Sequence, residues 1–165
     1  MSEVGAIIFS GVLASVVAVW GIFSQRAITR RRSTIELIAK SESDKDMIEA
    51  KNVFIRLAHE EGGLRKYAEQ DHEGCDETHS IRLVLNEFEL ISIGIQRGVL
   101  DFELYRRWNR SGTKKYWIFA KPFVERLRER TQNDALYHEF QQLYDWMNSE
   151  KKHAPKRYWW WGKFF

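Results

Sequence analysis

The feature that most constrains this chain is an uncharged apolar run from Val4 to Phe23. A helix of these 20 residues rises about 30 Å, the hydrocarbon thickness of a bilayer. Backbone polar groups find no water in lipid, so a segment that spans it must be helical. The run therefore predicts a single N-terminal transmembrane helix, and we assign residues 1–25 to a membrane anchor.

The charges beside the run predict its orientation. Four arginines follow it, at Arg26, Arg30, Arg31 and Arg32, whereas residues 1–3 carry no positive side chain. Positive residues stay on the cytoplasmic side of a membrane. We therefore expect a single-pass protein of the bacterial inner membrane, with its N-terminus outside and its C-terminal domain in the cytoplasm. These arginines are expected to lie at the lipid surface.

Two other interpretations of the run fit less well. A cleaved signal peptide carries its positive charge before the apolar run and small residues after it. Here the positive charge follows, and the run ends on Trp20, Ile22 and Phe23. A buried core helix is the second alternative, but one this long and uncharged is uncommon in a small soluble domain.

Small residues recur within the predicted anchor. Ala14, Ala18 and Gly21 share one helical face, and Gly11 and Ser15 form a second pair at a spacing of four. Such faces let membrane helices approach closely, which favours a homo-oligomer. Small residues are also common in membrane helices for no such reason, so this alternative stays open.

The charge distribution argues against a nucleic-acid partner. Residues 33–150 hold 17 basic and 22 acidic side chains, a net charge of −5, although the whole chain carries +3. Nucleic-acid binding needs the basic residues on the folded domain. The positive charge lies instead at the two ends, where anionic lipid would attract it. Cys75 is the only cysteine, which fits a reducing compartment.

The rest of the chain shows helical periodicity without strand alternation. The fold class predicted is all-α: a basic juxtamembrane helix or linker over residues 26–42, then a bundle of about four to five helices over 43–148. The central helix is apolar nearly all round, which indicates burial by several neighbours. Its main stripe is Ile81, Val84, Leu85, Phe88, Ile91 and Ile95, with Leu83, Leu90 and Ile93 beyond it.

Helix ends are predicted from capping and turn residues. Ser43 with Asp46, Asp101, and Asn133 or Asp134 stand where helices should begin. Gly98 should end the central helix. We expect a turn at Ser111–Gly112 and a kink or a fresh helix at Pro122.

The segment Val84–Asp101, VLNEFELISIGIQRGVLD, followed by Trp108, resembles a family of small bacterial and phage proteins that carry a domain of unknown function. Many members of that family pair an amino-terminal membrane helix with a helical domain. The resemblance covers roughly residues 34–147 and implies the same layout here. It implies no catalytic residues.

Candidate chemistry is sparse. His72, Cys75 and His79 could ligate a metal, but structural zinc usually takes four ligands and no second pair is evident, so a solvated loop is favoured. No phosphate loop, dinucleotide fingerprint or nucleophile elbow is present in the sequence. Glu87 and Glu89, two apart, should point to different faces of their helix. We therefore predict no catalytic residue, no cofactor and no metal, and not an enzyme.

One basic and aromatic stretch could bind a nucleotide or a single strand by stacking and charge. The alternative is a helix junction with buried aromatics and solvated charges. Its residues are Arg106, Arg107, Trp108, Lys114, Lys115 and Trp117.

The tail, residues 149–165, is basic and aromatic. Such a segment favours the interface of an anionic membrane, and the alternatives are a protein partner or docking onto the chain's own bundle. The residues expected at the membrane surface are Lys156, Arg157, Tyr158, Trp159, Trp160, Trp161, Phe164 and Phe165.

The leading hypothesis is a membrane-anchored cytoplasmic interaction module with lipid and an unidentified protein as its partners. The alternative is a self-assembling membrane-acting effector, in phage–host conflict. An enzyme without a recognisable motif is the third.

Overall fold

The computed structural model describes residues 3–149 and contains helices without strands over that range. Five α-helices and two short 3₁₀-helices follow one another within it. The α-helices are α1 (Glu3–Ser43), α2 (Lys45–Ala58), α3 (Asp76–Gln96), α4 (Phe102–Thr131) and α5 (His138–Asn148), and the 3₁₀-helices are Gly63–Ala68 and Gln70–His72. The predicted all-α class, an N-terminal apolar helix followed by a helical bundle, is confirmed.

The helix α1 is unbroken over 41 residues, about 60 Å at 1.5 Å per residue. Within residues 3–149 it is the one helix long and apolar enough to cross a membrane, and none of its most apolar window is buried. From residue 11 to residue 23 every position is exposed. The exposed set includes Phe9, Val12, Leu13, Val16, Val17, Val19, Trp20, Ile22 and Phe23.

The bundle is built around α3, as the sequence predicts. All six residues of its predicted main stripe are buried, from Ile81 to Ile95. Phe88 stacks on Phe140 of α5, with ring centroids 4.4 Å apart. Trp117 of α4 meets Phe140 edge-on at 5.1 Å. Aromatic rings from three helices therefore close the middle of the core, an arrangement that adds stability beyond the area buried.

Two predicted helix ends are confirmed. Asp101 caps α4 because its Oδ1 accepts the N–H of Leu104 at 3.0 Å. Gly98 follows α3 with a φ of +68°. The N–H of Gly98 bonds to Ile95 O at 3.1 Å, and the N–H of Val99 bonds to Gly94 O at 2.9 Å. This is a Schellman motif, which needs the left-handed residue that glycine supplies without strain.

The start of α2 differs from the prediction by one residue. Asp44, rather than Ser43, is the N-cap, and its Oδ1 accepts the N–H groups of Asp46 and Met47 at 3.1 and 3.2 Å. Ser43 belongs to α1, where its hydroxyl donates to Lys40 O at 3.2 Å. The carboxylate takes the cap because the serine hydroxyl is already used by the preceding helix.

The predicted turn at Ser111–Gly112 and the kink at Pro122 are both wrong. The helix α4 continues through both positions, and its bend lies at Asn109, whose φ and ψ are −130° and 25°. Pro122 removes the donor to the carbonyl of Ile118. Both residues lie on an exposed face, where water can satisfy that carbonyl, so the helix continues.

The last helix begins later than Asn133 or Asp134. Asn133 caps only a turn, accepting the N–H of Ala135 at 3.0 Å, and α5 starts at His138. Its first turn is capped from another helix, because Glu89 Oε1 of α3 accepts the N–H of Phe140 at 3.0 Å. A cap supplied from 51 residues away leaves no local sequence signal.

Candidate functional site

The long helix joins the bundle through a buried threonine. Thr34 is fully buried, and its Oγ1 donates to Arg30 O at 2.8 Å and accepts the N–H of Asp101, also at 2.8 Å. Arg31 Nε lies 3.8 Å from Asp101 Oδ2. The residue that caps α4 is thus bonded to α1 as well. A buried hydrogen bond therefore fixes the start of α4 to α1.

A cleft lies below this joint, between the inner end of α1 and the helices α2, α3 and α4. It forms a partly open cavity of about 100 Å³, room for about three water molecules at their share of liquid volume. Its wall comes from α1 (Leu37, Ile38, Ser41, Glu42), α2 (Lys51), α3 (Glu87, Phe88, Ile91) and α4 (Tyr105, Trp108, Asn109, Tyr116).

Three polar side chains from three helices meet in this cleft. Lys51 Nζ donates to Ser41 Oγ at 2.7 Å and to Glu87 Oε1 at 3.3 Å. The hydroxyl of Ser41 donates to the same Oε1. Lys51 Nζ also lies 3.1 Å from Glu87 Oε2. Taking both charges out of water is costly, and the ion pair and hydroxyl offset part of that cost.

The second oxygen of the carboxylate is enclosed as well. The Glu87 side chain is only 10% exposed, and its Oε2 has almost no solvent-accessible surface. Lys51 Nζ lies 3.1 Å from that oxygen, so the ammonium faces both oxygens of the carboxylate. The cleft therefore contains a buried ion pair between α2 and α3.

The bend in α4 lies on the aromatic side of the cleft. At Asn109 the side-chain Nδ2 donates to the hydroxyl of Tyr105 at 3.2 Å, and that hydroxyl lies 3.5 Å from Thr113 Oγ1. The Asn109 amide oxygen lies over Gly112, in space that a Cβ would occupy. Glycine at position 112 thus admits the amide that holds the bend.

The pKa values of both tyrosines in the cleft, Tyr105 and Tyr116, are raised. Burial raises the pKa of Tyr105 to about 12. The pKa of Tyr116 is raised by burial first and then by the nearby carboxylates of Glu87 and Glu42. Both rings are therefore neutral at physiological pH, and the field that they feel is negative.

A hydroxyl, an ammonium and a carboxylate in contact are chemically capable of moving a proton. A serine nucleophile needs a neighbouring base that takes its proton. Glu87 accepts the hydrogen bond from the Ser41 hydroxyl and is at the same time paired with the Lys51 ammonium.

The three candidate metal ligands do not converge. The His72 ring packs edge-on against Tyr67 at 5.3 Å, and Cys75 Sγ lies 3.3 Å from the hydroxyl of Thr78. His79 lines an open groove beside Asp44 instead. Over residues 3–149 no group of three or more His, Cys, Asp or Glu side chains is placed to hold a metal ion.

The predicted ligand patch is divided between surface and core. Trp117 is only 4% exposed. Its ring packs into the core against Phe140, so it cannot stack on a ligand. Arg107 pairs with Glu103 at 2.9 Å, and Arg106 donates to Ser149 O at 3.2 Å. Lys115 lies over the Phe119 ring at 5.6 Å. Lys114 is half-buried, and Trp108 alone reaches the cleft.

The remaining predicted residues lie on α1 or outside the described range. Arg26, Arg31 and Arg32 are exposed and Arg30 is half-buried; Arg32 pairs with Glu36 at 2.7 Å. Gly11 and Gly21 face open space. Ala14, Ser15 and Ala18 are exposed between them. The membrane-surface residues Lys156, Arg157, Tyr158, Trp159, Trp160, Trp161, Phe164 and Phe165 lie outside the described residues.

Sequence reasoning missed the centre of the cleft. It placed Glu87 and Glu89 on different faces, which the structure confirms, but it named no partner for Glu87. Ser41 and Lys51 stand 46 and 36 residues before it, and only the tertiary fold brings them together. The one usable signal was a pair of carboxylates, Glu87 and Glu89, within the largely apolar second half of α3.

The chain matches a known protein family. Residues 8–147 match the family described as Domain of unknown function (DUF4760), so the match includes most of α1 together with the bundle. No curated protein and no solved structure matches the chain.

Proposed function

We propose, on the premise that this chain belongs to the DUF4760 family of domains of unknown function, that it is a single-pass membrane protein whose cytoplasmic bundle binds another protein. The observation that carries the proposal is the exposed apolar surface of residues 9–23, which we call the outer half of α1. Trp20 is 71% exposed, Phe9 65% and Val16 59%. Apolar surface on this scale is covered by something, and its length matches a bilayer.

The proposed orientation is supported by the basic side chains after the span. Arg26, Arg31 and Arg32 are exposed on α1 between the apolar segment and the bundle. This is where the headgroups of the cytoplasmic leaflet would lie. Each basic residue near an anionic surface contributes about 1 kcal/mol, so this side of the bundle would be held close to the inner membrane of a bacterium.

A small apolar patch supports the binding role. We define it as Leu90 and Ile93 on α3 with Val99 in the turn after it. Their exposures are 63%, 41% and 56%, whereas the opposite face of α3 is buried. Apolar side chains gathered on one face are typical of a protein contact. Leu90 and Ile93 are two of the residues outside the main stripe that make α3 apolar nearly all round.

The proposal is tested by extraction and purification. Membranes from an expression host are washed with alkaline carbonate, which strips peripheral proteins and leaves integral ones. We expect the full chain to stay in the pellet, whereas recovery in the supernatant would contradict the membrane assignment. Purification in mild detergent with a mass measurement then gives the partner. A stoichiometric companion lost from a Leu90→Ser and Ile93→Ser double variant supports binding through the patch.

The second candidate is a self-assembling effector that acts on the membrane. The observation in its favour is that Gly11 and Gly21 face open space, so a second helix could approach α1 closely. A purified homo-oligomer without a companion, together with loss of membrane potential after induction, would favour this candidate. A stable membrane potential in the presence of abundant oligomer would count against it.

We assign the chain a binding role rather than an enzymatic one. In the cleft the Ser41 hydroxyl donates to Glu87. Lys51 is held by the same carboxylate. An enzyme remains the third candidate, and turnover that is lost in a Ser41→Ala variant would establish it.

A further inference from the structure

We propose that two copies of this chain pair through the face of α1 that points away from the bundle, as a parallel coiled coil beside the membrane. We call this face the seam, and its members are Gln25, Ile28, Arg32, Ile35 and Ala39. The inference goes beyond the proposed function, because it gives the chain a second contact surface apart from the patch on α3. It rests on the proposed membrane position of α1.

The first observation is the exposure of the seam. All five of its residues are exposed, and the two isoleucines, Ile28 and Ile35, are 58% and 57% exposed. The bundle is contacted from the opposite side of α1, by Thr34, Leu37 and Ser41. The bundle of the same chain therefore leaves the seam uncovered.

Lipid does not reach the inner part of the seam. Ile35 follows Phe23 by 12 residues, about 18 Å of helix, whereas a headgroup layer is about 5–8 Å thick. One exposed isoleucine needs no explanation, but two on the same face at a spacing of seven are a pattern. We infer that protein covers this face.

The second observation is the spacing of the seam. Its residues recur alternately after three and four positions, as the a and d positions of a heptad do. The isoleucines fall at d positions, and Gln25, Arg32 and Ala39 fall at a positions. A polar residue at an a position costs stability but fixes the register of the pair. Because α1 is unbroken, the same face continues into the apolar run through Gly11, Ala14, Ala18 and Gly21.

The third observation is the charge beside the seam. Arg31 falls at a g position and Glu36 at the e position of the following heptad, and these positions form the ion pairs between parallel helices. Their side chains are 70% and 62% exposed. Glu36 also holds Arg32 of its own chain at 2.7 Å, which reduces the repulsion between the two copies of that arginine. The face is therefore complementary to itself, which favours a second copy over an unrelated partner.

The membrane favours the parallel arrangement. Two copies that insert in the same orientation have parallel helices, and their apolar runs lie at the same depth. Each isoleucine of the seam then meets its equivalent in the other copy. An unrelated protein would not be brought into register in this way.

The first test is disulfide cross-linking of the full chain in vesicles. Cys75→Ala removes the natural cysteine, and either Ala39→Cys or Lys40→Cys is added. Both positions are exposed, but only Ala39 lies on the seam. A mild oxidant should link the Ala39→Cys chains at least about 10-fold faster, since a disulfide needs Cβ atoms about 3.5–4.5 Å apart. Equal rates of linking would overturn the proposal.

The second test is sedimentation equilibrium in mild detergent, where we expect the wild type to have the mass of a dimer. The double variant Ile28→Ser and Ile35→Ser should weaken dimerisation at least about 100-fold, because four isoleucines are lost from each dimer. The control is Leu90→Ser with Ile93→Ser, which removes as many exposed apolar side chains from the patch and should leave the dimer intact. A monomeric wild type, or an undiminished dimer in the seam variant, would overturn the proposal.

A charge exchange tests the pairing beside the seam. Arg31→Glu or Glu36→Arg alone places like charges at the paired positions and should weaken dimerisation at least about 5-fold. A mixture of the two variants pairs opposite charges at both contacts, so it should form mixed dimers. Variants that each dimerise as well as the wild type would contradict the assigned pairing.

Failure of the proposed function is seen separately. Carbonate extraction reports the membrane position, and loss of a companion from the patch variant reports partner binding. A chain that stays in the membrane and is monomeric there would overturn the seam alone.

Discussion

The outer half of α1 and the central helix α3 are two apolar helices with opposite surroundings. In α1 none of the most apolar window is buried. In α3 eight residues are buried, from Thr78 to Ile95. Each sequence is apolar nearly all round, and each predicts a helix that must be covered. An apolar composition therefore predicts that a helix is shielded from water. The length of the apolar run and the charges beside it indicate whether lipid or protein shields it.

The largest effect should come from removing a covered side chain in α3. Leu85 is fully buried, and Leu90 is 63% exposed on the same helix. We expect Leu85→Ala to lower the free energy of unfolding by about 2–5 kcal/mol, because it removes buried methyl groups and leaves a cavity. Leu90→Ala should change it by less than about 0.5 kcal/mol. Thermal unfolding measures both, and equal losses would contradict the assigned burial.

The reverse experiment places a charge in the outer half of α1. Val17 is 57% exposed near the middle of the apolar run. Val17→Asp should cost about 2.5–3.5 kcal/mol of membrane insertion and reduce the carbonate-resistant fraction. The melting temperature of the bundle should not change, because no bundle residue is lost. Val17→Leu is the control. A bundle that unfolds in Val17→Asp would mean that α1 is covered by protein.

A smaller loss of stability is expected when the contact between α1 and the bundle is broken at Thr34. Thr34→Val removes the acceptor of the Asp101 N–H at a fully buried position. We expect a loss of about 1–3 kcal/mol in the free energy of unfolding. Thr131→Val is the matched control, because Thr131 makes the same bond to the carbonyl four residues earlier but no bond to another helix in the described chain. A loss as large in Thr131→Val would show that the helical back-bond alone matters.

The smallest effect concerns pH and the cap of α5. Burial raises the pKa of Glu89, partly offset by the Phe140 N–H. A carboxyl with a raised folded pKa binds more protons in the folded state, so it lowers stability as pH rises from the unfolded value, about 4.3, through the folded pKa.

Glu89→Gln removes this titration. The melting temperature of the wild type relative to Glu89→Gln should therefore rise as pH falls from 7 to 4. The exposed Glu61→Gln variant should show no such trend. A difference that moved in the opposite direction would contradict the cause assigned to the shift.

The parts of the fold that sequence predicted are those with local causes. The apolar run, the stripe of α3, the cap at Asp101 and the glycine at Gly98 each act within a few residues of the chain. The positions that it missed depend on distant partners. The start of α5 needs Glu89, and Ser41, Lys51 and Glu87 meet only after the bundle has folded.

The bend of α4 was only partly predictable from the local sequence. The sequence marked Ser111–Gly112 as a turn, and Gly112 does have a special role. Its missing side chain makes room for the amide of Asn109, so the glycine permits a bend three residues earlier rather than ending the helix. The local signal was present, but its meaning depends on the bond from Asn109 to Tyr105.

The most direct test of the account is the accessibility of one cysteine on each side of the predicted span. The sole natural cysteine is removed by Cys75→Ala, and either Ser2→Cys or Glu61→Cys is added. A membrane-impermeant maleimide is applied to right-side-out vesicles before and after permeabilisation. We expect Ser2→Cys to be labelled at once and Glu61→Cys only after permeabilisation. Immediate labelling of Glu61→Cys in intact vesicles would contradict the proposed orientation.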